Sequence, residues 1–98
     1  MIYTSTKNNT EQVDFKTATL NGLASNNGLY VPTKIPSLNE RIFEAETFNI
    51  DIALEVMKPF IGECIPEQKL KEILSETLNF ELPLIQIKPN TYCLELFH

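Results

Sequence analysis

The 98-residue chain holds one histidine, His98, three glycines and two cysteines, and each scarcity removes a class of chemistry. The two cysteines, Cys64 and Cys93, stand far apart with no CxxC relation. With a single terminal histidine beside them, a zinc site lacks the ligands it needs, so no metal residues are expected. Both cysteines are read as small buried hydrophobes in a reducing compartment. With no glycine-rich run, nothing in the chain cradles a phosphate; Asn26-Asn27-Gly28 carries one glycine and serves a turn. Basic residues number 8 against 13 acidic ones, for a net charge of −5, and they form no run. Counterion release on a phosphate backbone needs clustered positive charge, so a nucleic-acid partner and an anionic membrane surface are both excluded. No apolar stretch reaches the ~20 residues of a membrane span. The N-terminus has neither the basic nor the apolar region of a secretory signal, so the expected setting is cytoplasmic and the Asn8-Asn9-Thr10 glycosylation pattern is a coincidence.

What is present is the composition of one small folded domain. Hydrophobic residues make up 43% and charged residues 21% of the chain, too apolar for a disordered segment. A domain of this size buries only about 60–65% of its unfolded surface, so packing on a neighbour would help it.

Ile2-Tyr3-Thr4-Ser5-Thr6 is β-branched and aromatic and predicts a first strand. Polar Lys7 to Gln12 predicts a surface loop. Asp14 is placed to cap a short helix that faces Phe15, Ala18 and Thr19 inward and ends at Gly22. Ala24 to Gly28 is a turn, and Leu29-Tyr30-Val31-Pro32 an extended edge or packed loop, because Pro32 has no N–H for a ladder.

Three helical segments follow. Ser37 and Glu40 have capping-box spacing, opening a short helix that ends near Glu46. Asn49 caps the second, whose buried stripe is Ile50, Ala53, Leu54, Met57 and Ile61, with Pro59 forcing a kink or tight last turn before Gly62. Pro66 suits the first position of the third. That helix turns Leu70, Ile73, Leu74, Thr77 and Leu78 inward and leaves Glu67, Lys69, Lys71, Glu72 and Glu76 in water. A hairpin ends the chain: Leu84 to Lys88 and Tyr92 to Phe97 flank Pro89-Asn90, with Gln86 and Lys88 facing outward against Ile85 and Ile87. The fold class is α+β: a small, mostly helical domain with a short sheet formed by the N-terminal strand and the C-terminal hairpin.

Catalytic groups are hard to find. Glu63, Glu67, Glu72 and Glu76 form a solvated helix edge, and no serine or cysteine has a local base. Tyr3, Tyr30 and Tyr92 read as half-buried aromatics, since no basic residues interleave with them. The chain stops on Leu94-Glu95-Leu96-Phe97-His98, within a strand or its exit, where a frayed polar tail is usual; the expectation is of a chain that continues.

Four strings then resemble one family in order and spacing. Glu11-Gln12-Val13-Asp14-Phe15 with Ala18, then Gly22-Leu23-Ala24 with Gly28-Leu29-Tyr30-Val31-Pro32, then Pro59-Phe60-Ile61-Gly62-Glu63 with Ile65-Pro66, and finally Leu94 to His98 are similar to threonine synthases. Asn26-Asn27, Asp14 and Lys7-Asn8 depart from the family pattern at caps and turns. The resemblance implies that residues 1–98 are the N-terminal domain of such an enzyme, with 93–98 leading into an absent cofactor-binding domain. The whole enzyme would use pyridoxal phosphate to convert O-phospho-L-homoserine and water to L-threonine and phosphate. The resemblance puts the cofactor lysine beyond His98 and leaves no catalytic or cofactor-binding residue in this chain, His98 with Phe97 being its nearest approach to the active-site loop. It implies an inactive fragment with a structural, docking role, no cofactor bound to it, and the remainder of its own chain as partner. Self-association through the exposed interdomain surface is a further expectation. The competing reading is a stand-alone acidic interaction module that binds through an apolar face.

Overall fold

The computed structural model describes residues 1–46 and 49–96; the expectations for Phe97 and His98 lie outside them. The fold class is α+β, with three α-helices and two small antiparallel sheets among the described residues. Strand β1 (Ile2–Ser5) is central in the first sheet. It is flanked by β2 (Gln12–Asp14) and β3 (Tyr30–Pro32), with Tyr3 opposite both Val13 and Pro32. Pro32 sits on an edge strand, as its missing N–H requires. Because β2 and β3 occupy both sides of β1, the C-terminal hairpin does not pair with the N-terminal strand. Strands β4 (Leu84–Lys88) and β5 (Thr91–Leu94) therefore form a separate two-stranded sheet. The loop expected through Gln12 ends one residue early, since Gln12 pairs with Thr4.

Local capping explains where the helices begin and end. Helix α1 (Phe15–Asn21) starts where the Asp14 carboxylate accepts from Thr17 N–H at 2.8 Å, and stops at Gly22, φ 71°. Helix α2 (Ile50–Ile61) starts where Asn49 Oδ1 accepts from Ile52 N–H at 3.0 Å. Pro59 stands inside its last turn, and beyond it the chain tightens into a 3-10 turn, Gly62–Cys64. Helix α3 (Glu67–Thr77) begins one residue later than expected, Pro66 occupying the cap.

The expected Ser37 capping box does not form. A five-residue 3-10 turn, Glu40–Glu44, is capped instead by Asn39, whose side chain accepts from Arg41 N–H at 3.1 Å. Asn39 closes on a donor two residues ahead, and the turn it caps starts later than one capped by Ser37 would.

The core lies where α2 crosses α3. Ala53, Ile61, Leu70 and Leu74 are buried there, with Phe15, Ile50, Leu54, Ile65 and Leu78 packed around them. Phe15 carries the first sheet onto this core, meeting the Tyr3 ring at 6.0 Å between centroids, tilted by 58°. Tyr3 is buried and donates its hydroxyl to the Phe60 carbonyl at 2.9 Å, tying β1 to the end of α2. Both helical stripes are narrower than their periodicity suggests: Met57, Ile73, Thr77 and, on α1, Thr19 are exposed. Helix α3 packs chiefly on α2, and α2 on α3 with α1 at its margin, so only the central rows of the two helices are covered.

The hairpin departs furthest from expectation. Pro89-Asn90 makes the turn, with Asn90 at φ 58°, and a bulge lies between Gln86 and Lys88. All five residues of β4 are exposed, so Ile85 and Ile87 do not face a core and the alternation has no buried side. Accessible surface totals 7539 Å², whereas a compact monomer of this size exposes about 5,700 Å². The Cα radius of gyration is 16.4 Å, against about 13 Å for a compact domain of this length.

Candidate functional site

The densest polar arrangement lies where β2, the 24–28 turn and β3 meet. Glu11 accepts from the Ser25 hydroxyl at 2.6 Å, the Ser25 N–H at 3.0 Å and the Tyr30 hydroxyl at 2.5 Å. Asn21 Nδ2 donates to Tyr30 from the other side at 3.4 Å. A carboxylate that accepts this many hydrogen bonds favours its charged form. Glu11 is accordingly held below the usual glutamate range, by the Ser25 hydroxyl first, then Tyr30 and the Ser25 N–H. On Tyr30 the Asn21 contact lowers the pKa, but the Glu11 hydrogen bond, partial burial and the Glu11 charge together raise it. Both shifts move the groups away from neutrality, so the pair is a poor proton shuttle and a good clasp.

A second cluster sits beside it. Ser5 is buried and donates to Asn26 Oδ1 at 2.6 Å, while that same oxygen accepts from Gly28 N–H at 3.0 Å. Lys7 N–H donates back to Ser5 Oγ at 3.2 Å. A Cβ on Gly28 would fall 2.0 Å from Ser5 Oγ, so the glycine is required by close approach. Asn27 takes φ 59°, which asparagine tolerates. Glu11 and Tyr30 stand in separate strings of the sequence and are joined only by the fold, with Gly28 in the neighbouring cluster. The one glycine in an otherwise non-glycine turn was the available signal.

The other candidates disperse over the surface. Glu63, Glu67, Glu72 and Glu76 are all exposed; Glu67 pairs with Lys58, and Glu72 with Lys69 at 2.9 Å. Lys71, which is half-exposed, pairs with Asp51 at 2.6 Å. Tyr92 is exposed and Tyr3 buried, where both were expected half-buried. Cys64 and Cys93 are free and exposed, not buried. Cys64 lies in the 3-10 turn at the rim of a shallow groove with Phe15, Lys16 and Leu20, and Cys93 lies on the uncovered hairpin. Among the described residues no three His, Cys, Asp or Glu side chains gather as metal ligands, and no helix is long and apolar enough to cross a membrane.

The first three strings singled out in sequence thus converge on one structural unit. Glu11 of the first clasps Tyr30 of the second, and Phe60 of the third accepts from Tyr3. A family profile described as "Threonine synthase N terminus" matches residues 2–78, the stretch that contains all three. The chain belongs to the threonine synthase N-terminus family. The threonine synthase of Pseudomonas aeruginosa is 36% identical over 105 residues, spanning 100% of this chain and 22% of that protein. The crystal structure of threonine synthase from Escherichia coli aligns at TM-score 0.85 and 31% identity, over 100% of this chain and 23% of the other. That of pyridoxal-phosphate-bound threonine synthase from Brucella melitensis aligns at TM-score 0.86 and 34% identity, again over 100% and 23%. The chain therefore spans about a fifth of the length of the curated relatives it matches, and the reading of a stand-alone interaction module is not favoured.

The described residues of this threonine synthase domain do not fit pyridoxal phosphate. Lysines that take up a carbonyl are activated by desolvation or a neighbouring cation, which lowers their pKa. Here Lys58 and Lys69 are raised by hydrogen bonds to Glu67 and Glu72, and Lys7, Lys16, Lys34 and Lys88 are exposed. The N-terminus of α1 is already taken by the Asp14 carboxylate, which repels a phosphate.

Proposed function

We propose that this chain is the structural N-terminal domain of a pyridoxal-phosphate enzyme that converts O-phospho-L-homoserine and water to L-threonine and phosphate. The catalytic machinery is carried by the rest of the parent protein. Residues 1–98 make up the domain, and 93–98 lead into the cofactor-binding domain, with His98 and Phe97 nearest the active-site loop. The remainder of the parent chain is the partner, and the cofactor is held there. By itself the chain is inactive, and at high concentration it self-associates through its uncovered apolar surface. Its setting is the cytoplasm, a reading supported by two exposed thiols left free.

The observation that carries this reading is the family match over residues 2–78, together with relatives in which the chain covers 22% of the length. The fold supplies a reason for a purely structural role. Its polar clusters are clasps among strands and turns, with pKa values displaced away from neutrality.

The test compares the product of the full source gene with this chain, both supplied with pyridoxal phosphate and O-phospho-L-homoserine. The full product releases phosphate and threonine in equal amounts; the chain releases neither. Threonine formation by the chain, or its absence from a folded full-length product, would sink the proposal.

A further inference from the structure

Strands β4 and β5 carry large apolar side chains on both faces. Successive residues of a strand point to opposite sides. Ile85 lies opposite Cys93 on one face, at 46% exposure, while Leu84 lies opposite Leu94 on the other, at 63% and 52%. Tyr92 and Leu96 extend the second face and are also more than half exposed. A hairpin laid on a core by one side reads as apolar on that side and polar on the other. Strands apolar on both sides belong to sheets with a layer over each face.

We propose that the hairpin is an interior layer of the parent enzyme, inserted into the remainder of the chain so that both of its faces are covered. This rests on the reading that the chain is one domain of a larger threonine synthase. Three observations select that occupant. The chain exposes about 1,800 Å² more than a compact monomer of its size, which exceeds one side of a standard interface and falls in the obligate class. The Escherichia coli and Brucella melitensis structures align over 100% of this chain, hairpin included, and more than three quarters of their own length lies outside the aligned part and is available to cover it. A second copy is a poor alternative: pairing edge to edge would leave both faces bare, and stacking would cover only one.

The experiment is thiol alkylation of the full-length gene product by iodoacetamide, followed by mass spectrometry. Cys93 reports the first face; Leu94→Cys in a Cys93→Ser background reports the second. Each rate is referred to the same protein in urea. Both thiols are expected to be slowed on the order of 100-fold or more in the folded enzyme. Reaction of either thiol at close to its urea rate overturns the proposal, and protection of Cys93 alone reduces the hairpin to a flap laid on by one side. Protection that vanishes on dilution assigns the faces to a second copy and equally overturns it. Should the Leu94→Cys variant fail to fold, hydrogen exchange of peptides spanning 84–94 in the unmodified enzyme decides: rapid exchange contradicts the insertion. Threonine formation measured on the same sample separates the two readings. An active enzyme with reactive thiols refutes the insertion alone, and a folded, inactive one with protected thiols refutes the enzyme assignment alone.

Discussion

The α2–α3 pair and the hairpin are built from similar apolar residues, and they end in opposite states. Leu70 and Leu74 on α3 are 3% and 7% exposed; Leu84 and Leu94 on the hairpin are 63% and 52% exposed. Residue type does not separate them. What differs is whether the partner surface lies within this chain. Helix α3 has α2 to pack on, while β4 and β5 have chiefly each other. A two-stranded hairpin alone is marginal in water, and the proposed insertion would supply the layer it lacks.

The contrast can be broken most directly in the helices. Leu70→Ala removes a buried side chain from the small core and is expected to destabilise the chain by about 2–5 kcal/mol, read as a lowered urea midpoint by circular dichroism. An unchanged midpoint would mean the core is not where α2 crosses α3. Next in size is Gly28→Ala, which drives a methyl group into Ser5 Oγ and should cost about 1–3 kcal/mol in the same assay. Asn49→Ala removes the cap of α2 and should cost about 1 kcal/mol, with Asn49→Asp retaining most of it.

A smaller effect is confined to acid. Because the folded state lowers the Glu11 pKa, its contribution is fully present above the ordinary glutamate value of 4.5 and is lost as pH falls through the lowered native value. Glu11→Gln should therefore lose less stability than the parent sequence between about pH 5 and pH 3. Equal losses would show that the clasp to Ser25 and Tyr30 is not formed in solution. The smallest effect belongs to the hairpin: Ile85→Ser should change the unfolding free energy of this chain, read from urea titration, by no more than about 0.5 kcal/mol. The same substitution in the full-length enzyme should be several times more damaging. Equal effects in both would erase the distinction between the two regions.

What could be read in sequence was local. Asp14, Asn49, Gly22 and Gly62 act within a few residues of themselves, and each ends or begins a helix as its chemistry predicts. The Pro89-Asn90 turn and the edge position of Pro32 are equally local consequences of missing donors and tolerated backbone angles. Ser37 was misjudged because Asn39, two residues on, competes for the same task. Cys64 and Cys93 were misjudged because burial depends on what lies opposite, and the residue opposite Cys93, Ile85, is itself exposed. The Glu11–Tyr30 clasp spans 19 residues and closes only once β2 and β3 flank β1. No spacing rule would have joined those two residues, whereas the ordered resemblance of the strings that hold them reached the family directly.

On the proposed reading this domain is scaffold and holds no cofactor chemistry of its own. Titrating the chain with pyridoxal phosphate, followed by desalting and an absorbance spectrum, tests it most directly. Only weak, unsaturable labelling spread over the exposed lysines is expected; a saturable uptake of one equivalent that survives desalting would contradict a scaffold role.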